Sequence, residues 1–338
     1  MVYSHVVGIW LHHLQDASPF AAGVRARNPL SWTLNVGNFG VVLFFLVSGF
    51  IVTHTGFTER PRQYLVKRVL RVYPMLAVAV LLSAGLFTVG LHPLTTGDPT
   101  TITPVTLLTN TSLVNYLLVP RVVLIDVAWT LIIEIMFYAL LFVALPLLRR
   151  TVWPVIVGEL AVVAAVLASA PLGPVWLRFA ENVGYLPALL LGQIIWAVWS
   201  RRIPPWLGGG LGVLALAEYV WAGAPGLGRQ PTVYHYELNL ALGLVVFIAA
   251  LALHRKMRPV RWLKYLADRS YSLYLLHGLL AFVVMNALYP KIGYPGALVA
   301  GIAVTMLGAE LGYRYIERPC MRLARRLASR YREPVTSS

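Results

Sequence analysis

The chain has 338 residues, 58% of them hydrophobic and only 12% charged, with a net charge of +15 and a mean hydropathy of +0.71. That composition excludes a water-soluble domain and points to an all-α polytopic membrane protein. The single cysteine, Cys320, excludes an internal disulfide and a Cys-rich metal site, and no metal is assigned.

Taken in chain order, ten apolar windows cut by Pro, Gly and Arg clusters are expected to span the membrane. They lie near residues 1–14, 38–55, 73–91, 127–148, 152–170, 185–200, 206–222, 236–253, 270–288 and 295–313. The first is short, about 21 Å of helix at 1.5 Å per residue, and the chain is expected to start inside its first helix. A cleaved signal peptide fits less well, because a charged leading region and a small-residue cleavage site are missing.

Lys and Arg gather on one set of alternating loops. Of the 28 basic residues, 22 fall at 60–71, 149–150, 201–202, 255–269 and 314–332. This asymmetry places both termini in the cytoplasm. It also accounts for the net positive charge without nucleic acid, since no soluble basic module is present. Residues 1–318 form one transmembrane domain, and 319–338 form a basic, amphipathic cytoplasmic tail expected to lie on anionic lipid. The outer segment 92–126, rich in Thr and Pro, is long enough to roof a substrate site. It contains a sequon, Asn110-Thr111-Ser112, which matters only in a secretory pathway. The Arg-over-Lys bias with abundant Ala, Val, Leu and Gly suits a GC-rich bacterial gene, where the sequon is ignored.

The chemistry-bearing residues stand out because polar groups in lipid are expensive. Glu134 interrupts an apolar helix, with Trp129 at its outer mouth and Phe137 and Tyr138 one turn on. Its alternatives are a helix-to-helix hydrogen bond or a functional carboxylate that orients a histidine or a substrate hydroxyl. Among histidines, His5, His12, His13, His54 and His277 lie in or beside apolar windows and are candidate general bases. His12 and His13 suit an interfacial position beside Gln15 and Asp16, whereas His5 is deeper and needs a partner from a neighbouring helix. Arg68 and Arg71 share a helix face next to Lys67. They suit either phosphate binding or topology anchoring. Internal repeats of the transporter kind are not visible.

Five strings occur in order: Gly40-Val-Val-Leu-Phe-Phe-Leu-Val-Ser-Gly-Phe50, Lys67-Arg-Val-Leu-Arg-Val-Tyr-Pro74, Trp129-Thr-Leu-Ile-Ile-Glu-Ile-Met-Phe-Tyr138, Ser270-Tyr-Ser-Leu-Tyr-Leu-Leu-His277 and Tyr313-Arg-Tyr-Ile-Glu-Arg-Pro319. Together they resemble the membrane-bound acyltransferase-3 family, over nearly the whole chain. The resemblance implies a multi-pass plasma (inner) membrane enzyme that moves an acyl group, usually acetyl, from acyl-CoA to a hydroxyl. The acceptor would belong to a sugar, glycolipid, cell-envelope glycan or secondary metabolite.

The family's first-helix histidine corresponds to His5, in Val2-Tyr-Ser-His5. The resemblance makes His5 the catalytic base, acting on the acceptor hydroxyl directly or carrying the acyl group itself. It gives Glu134 the role of orienting that imidazole. Arg68, Arg71 and Lys67 become partners for the donor's phosphates. Ser48, Trp129, Tyr138 and His277 become positioning residues. Ser48 is expected to serve packing, because no base is adjacent in sequence, and Glu317-Arg318-Pro319 is expected to form an ion pair and stop the helix. Two departures stand out. An arginine usually found about three helical turns before the histidine has no counterpart here, and Val42 occupies a position where many relatives carry Asp. The rival readings are a ten-span transporter or flippase of a glycolipid or polyol, and a catalytically inactive relative.

Overall fold

The computed structural model describes residues 36–93, 102–118, 122–224, 227, 236–254, 256, 258 and 260–329. The window 1–14, with His5, His12 and His13, lies outside the described residues. Among the described residues every regular element is helical: α1 (Val36–Thr58), α2 (Pro61–Thr88), α3 (Pro104–Ser112), α4 (Trp129–Leu148), α5 (Trp153–Ala168), α6 (Pro174–Val183), α7 (Leu186–Trp199), α8 (Pro205–Trp221), α9 (Tyr236–Leu253), α10 (Arg261–Leu276), α11 (Phe282–Gly312) and α12 (Arg318–Ser329). Seven helical stretches among them are long and apolar enough to cross a membrane. Pro205–Trp221, at 17 residues, is slightly shorter than these.

The last apolar stretch, Arg261–Ser329, is a hairpin rather than one rod. Gly293 sits at φ 68°, a left-handed backbone that only glycine adopts freely, between Pro290 and Pro295. The two arms then run back against each other: a side chain on Gly301 would meet Met285 Cγ at 2.9 Å, and one on Gly312 would meet Ser272 Oγ at 2.6 Å. One turn is π-wound in each arm, His277–Ala281 and Tyr313–Glu317.

Helix α1 is the hub of one half, packing on α7, α9 and α4. Lipid supplies no hydrophobic drive between helices, so close approach depends on small residues. Gly49 of α1 faces the Leu189 carbonyl and Gly192 of α7 faces the Leu46 carbonyl, so the two backbones touch through reciprocal glycines. Val42 is fully buried and packs its Cγ1 on Gly243 of α9, an apolar contact where a carboxylate would be stranded. The other half is built on α2, which meets α10 and α12. Helix α4 touches α1, α2, α5 and α7 and thus lies where the halves join.

The basic loops gather at one face, and one of them has a structural duty there. Arg149, just past α4, donates from Nε to the Phe57 carbonyl (3.1 Å) and from Nη2 to the Gly56 carbonyl (3.0 Å), with a further bond to the Glu59 carbonyl. These carbonyls lie at the C-terminus of α1 and just past it, where a cation is favoured. At the same face the helix does not stop at Glu317-Arg318-Pro319. Glu317 accepts hydrogen bonds from the Ser272 backbone N–H (2.8 Å) and from the Ser272 hydroxyl, and the chain continues as α12. The widened π turn immediately before Pro319 absorbs the missing N–H that would otherwise end the helix.

At the opposite face the segment after α3 is tied by one asparagine. Asn110 is buried; its Nδ2 donates to the carbonyls of Thr106 (2.9 Å) and Val122 (3.2 Å), and its Oδ1 accepts from Leu124 N–H (2.9 Å) and Asn115 Nδ2 (3.1 Å). The sequon asparagine therefore has no free amide for a glycan. Asn110→Ala should strand the Leu124 N–H, leave the Val122 carbonyl with only its bond from Asn115 Nδ2, and destabilise the protein by about 1–3 kcal/mol. Thermal unfolding followed by Trp fluorescence in detergent would register this as a lowered Tm.

Candidate active site

The intramembrane carboxylate of Glu134 is the centre of the most connected polar cluster. It sits in the second turn of α4 and is 6% exposed. Ser48 Oγ of α1 donates to its Oε1 at 3.3 Å, and the Tyr138 hydroxyl, one turn on along α4, donates to the same oxygen. A carboxylate is thus held by two hydroxyl donors from two helices in an apolar interior, with Val42, Phe45, Leu131, Ile133 and Phe137 buried nearby in the same core. The Ser48 contact also supplies the neighbouring base that the sequence reading did not find for this serine.

From this pair the cluster extends toward the basic face through α2. The Tyr64 hydroxyl donates to the Tyr138 carbonyl (3.2 Å), and the two rings meet edge to face. The Arg68 guanidinium lies over both rings, 5.2 Å from the Tyr64 centroid and 5.3 Å from the Tyr138 centroid, a cation–π sandwich. Its Nη2 donates to Thr55 Oγ1 of α1 (2.6 Å), while its Nε is buried and meets no acceptor among the described residues.

Arg71, one turn further, is exposed, yet its charge bears on Tyr138, Tyr271 and Glu317. Neither arginine has a carboxylate within ion-pair distance among the described residues. Lys67 turns away and pairs with Glu59 at 2.7 Å. Of the two, Arg68 is the one in contact with the interior cluster, and Arg71 is exposed.

On the other side the cluster continues through α10. The Tyr271 hydroxyl donates to the Val72 carbonyl (2.7 Å), and the Tyr274 hydroxyl lies 2.6 Å from Thr130 Oγ1 and bonds the Val127 carbonyl. His277 is fully buried at the start of the first π turn; its Nδ1 stands 2.7 Å from the Tyr274 carbonyl, which assigns the proton to Nδ1. Trp129 is half-buried at the mouth of α4, its ring 5.1 Å from that of Tyr185. His54, another candidate base, is exposed and accepts at Nδ1 from Trp196 Nε1 (3.2 Å), outside this cluster.

The structure thus brings Glu134, Ser48, Tyr138 and Arg68 into direct contact, sets Arg71 at their edge, and leaves Lys67 apart. His5 lies outside the described residues. Tyr64, Thr55, Tyr271 and Tyr274 belong to the cluster and were not singled out from the sequence. Tyr64 carried a readable signal, standing four residues before Arg68 and so on the same helix face. Thr55 carried none, because its partner is thirteen residues away across a helix turn.

A second intramembrane carboxylate, Glu159 of α5, is closed off differently. It is 3% exposed and accepts from Gln193 Nε2 of α7 at 2.6 Å. A cavity of about 550 Å³ lies elsewhere, walled by Val198, Trp199, Arg201, Arg202, Ile203, Pro204 and Pro205 in the α7–α8 loop. It is a surface recess of one loop and shares no residue with the Glu134 cluster. No group of His, Cys, Asp or Glu among the described residues is arranged to hold a metal ion.

Comparison with known proteins bears on the family of the chain. The "Exopolysaccharide production protein ExoZ" of Rhizobium meliloti (strain 1021) is 29% identical over 304 residues, covering 86% of this chain and 91% of that protein. No solved structure matches. Residues 5–314 match the family model described as "Acyltransferase domain", of the acyltransferase-3 type, and with that match over most of its length the chain belongs to this family of membrane acyltransferases.

Proposed function

We propose that the protein moves an acyl group, acetyl being the expected one, from acyl-CoA to a hydroxyl of a cell-envelope glycan at the plasma membrane. The observation that carries this reading is the buried Glu134 held by Ser48 and Tyr138, with Arg68 and Arg71, which have no acidic partner among the described residues, leading to it from the basic face. The similarity to a protein named for exopolysaccharide production supports a polysaccharide acceptor.

In this reading the arginine-rich face and both termini are cytoplasmic, and the donor enters there. Arg71, exposed and without an acidic partner among the described residues, meets the donor's phosphates. It lies ten residues into α2, about 15 Å along the helix axis from Pro61. Arg68 stacks on Tyr138 and holds the hydroxyl that anchors Glu134. His5 is the base: it takes the proton of the acceptor hydroxyl and returns it to the departing coenzyme A sulfur. In the alternative route the imidazole attacks the thioester and carries the acyl group, the coenzyme A thiolate leaving with the ring proton, and the acceptor hydroxyl then takes the acyl group and gives its proton to the ring. In both routes Glu134 keeps the ring oriented and offsets the imidazolium charge. Trp129, Tyr274 and His277 line the acceptor side.

The test is release of free thiol from acetyl-CoA by the purified protein in nanodiscs, with and without a hydroxyl-rich polysaccharide. Acceptor-dependent thiol release, matched by a mass increase of 42 Da per acetyl on the glycan, is the expected result. Movement of a glycolipid across the bilayer with no thiol released would overturn the reading in favour of transport.

The two arginines should separate kinetically. Arg71→Gln should raise the donor KM about tenfold or more with kcat little changed, because it removes uniform donor binding. Arg68→Gln should chiefly lower kcat, because the stack under Tyr138 is lost. Steady-state kinetics with acetyl-CoA varied at saturating acceptor distinguishes the two.

A further inference from the structure

Helix α12 is not a loose end. It emerges directly from the α11 arm through the π turn and lies along the start of α2. Its Ala324 and Ala328 are buried. Gln63, which caps α2 by accepting from the Arg60 N–H (3.2 Å), also donates to the Ala328 carbonyl at 2.9 Å. The first turn of α2 and the end of α12 are thus joined by one side chain. The remaining faces of α12 divide by chemistry. Arg318, Arg322, Arg325 and Arg326 project on one exposed side, and Leu323 is exposed beside Arg326. At one turn spacing these four guanidiniums form a continuous cationic strip.

We propose that α12 docks on anionic phospholipid headgroups of the cytoplasmic leaflet, and that this docking holds the first turns of α2 in place. Charge complementarity and position select the partner. The strip carries four positive charges with no acidic residue on the helix. It continues from a membrane-spanning arm, so it lies at the level of the headgroups. An exposed leucine beside the basic strip suits the acyl boundary, as in interfacial helices. Each arginine near an anionic surface adds to the attraction, so four suffice for stable docking. Tyr315 and, at the start of α10, Trp262 are exposed at the same face and suit an interfacial belt.

The consequence is mechanical. Arg71 is eight residues beyond Gln63 on the same helix. Fraying of the α2 N-terminus would loosen the helix that carries it, and lipid bound to α12 would suppress that fraying. The step from α2 to the donor rests on the role given to Arg71 above, whereas the docking does not.

The experiment is hydrogen exchange on the full chain in nanodiscs of phosphatidylcholine alone, or of phosphatidylcholine mixed with phosphatidylglycerol. The comparison protein carries Arg318→Gln, Arg322→Gln, Arg325→Gln and Arg326→Gln together. In the wild type, phosphatidylglycerol should slow exchange along 318–329 and along the first turns of α2 by about tenfold. High salt should remove the effect, and the variant should exchange alike in both lipids. Equal wild-type exchange in the two lipids would overturn the proposal. So would a lipid effect retained by the variant, and so would protection of α12 without protection of α2. Slowed exchange in both helices with an unchanged donor KM would leave the docking standing and sink the role of Arg71.

Discussion

Replacing Glu134 by glutamine is expected to lower acyl transfer by about 10²- to 10⁴-fold with the fold intact, the range that a group supporting general base catalysis supplies. Glutamine keeps the shape of the side chain and can still accept from Ser48 and Tyr138, so the polar contacts of α1 and α4 survive. It removes the negative charge and places an N–H₂ where an acceptor stood. If the carboxylate orients His5, the two residues act as a unit, and their effects will not add. His5→Ala should end turnover. His5→Ala combined with Glu134→Gln should then be no worse than His5→Ala alone, the non-additivity expected of one catalytic constellation. Residual rates from thiol release across the four proteins close the cycle. Multiplying losses would separate Glu134 from the imidazole. A Glu134→Gln protein with full activity would return the carboxylate to a packing role between α1 and α4.

The largest stability effect is expected at the crossing of α1 and α7. A side chain at Gly192 has the Leu46 carbonyl and Phe50 N in its path, and one at Gly49 has the Leu189 carbonyl and Cα. In each case the obstacle is backbone of the partner helix, which cannot rotate away as a side chain can. Gly192→Val should therefore force the helices apart, remove the close contact that packing in lipid depends on, and destabilise by about 4 kcal/mol or more. A matched control lies on α2, where nothing stands within 4 Å of a Cβ on Gly85. Gly85→Ala should be neutral or stabilising by up to about 1 kcal/mol, since alanine is the better helix former. Thermal unfolding in one detergent compares both. A Gly192→Val protein with an unchanged Tm would show that the α1–α7 contact carries little of the stability.

Much of this organisation was legible because lipid makes composition decisive. A bilayer core tolerates only closed backbone hydrogen bonding, so nine apolar windows from 38–55 onward translate into helices without reference to their neighbours. Glu134 was legible for the same reason, as an exception in apolar surroundings. Its partners were harder. Ser48 is 86 residues away, and its contact with Glu134 depends on how α1 crosses α4. The Glu317-Arg318-Pro319 string shows the limit of local rules: neighbours of opposite charge and a proline predict an ion pair and a stop. In the folded chain Ser272, 45 residues upstream, engages the carboxylate and the π turn carries the helix onward.

The sequence alone determined that this is an all-α membrane protein of the acyltransferase-3 type, and which polar residues its interior must accommodate. Those are properties of composition, period and motif, and they need no knowledge of packing. Only the tertiary structure decided which polar groups meet. It gave Glu134 two hydroxyl donors, placed Arg68 in a tyrosine sandwich rather than in solvent, left Arg71 without an acidic partner among the described residues, paired Lys67 with Glu59, and laid α12 along α2. The physical reason is that a hydrogen bond or cation–π contact between helices depends on crossing geometry. That geometry is set by where glycines let backbones touch, as at Gly49 and Gly192, and a sequence does not display which partner each glycine meets.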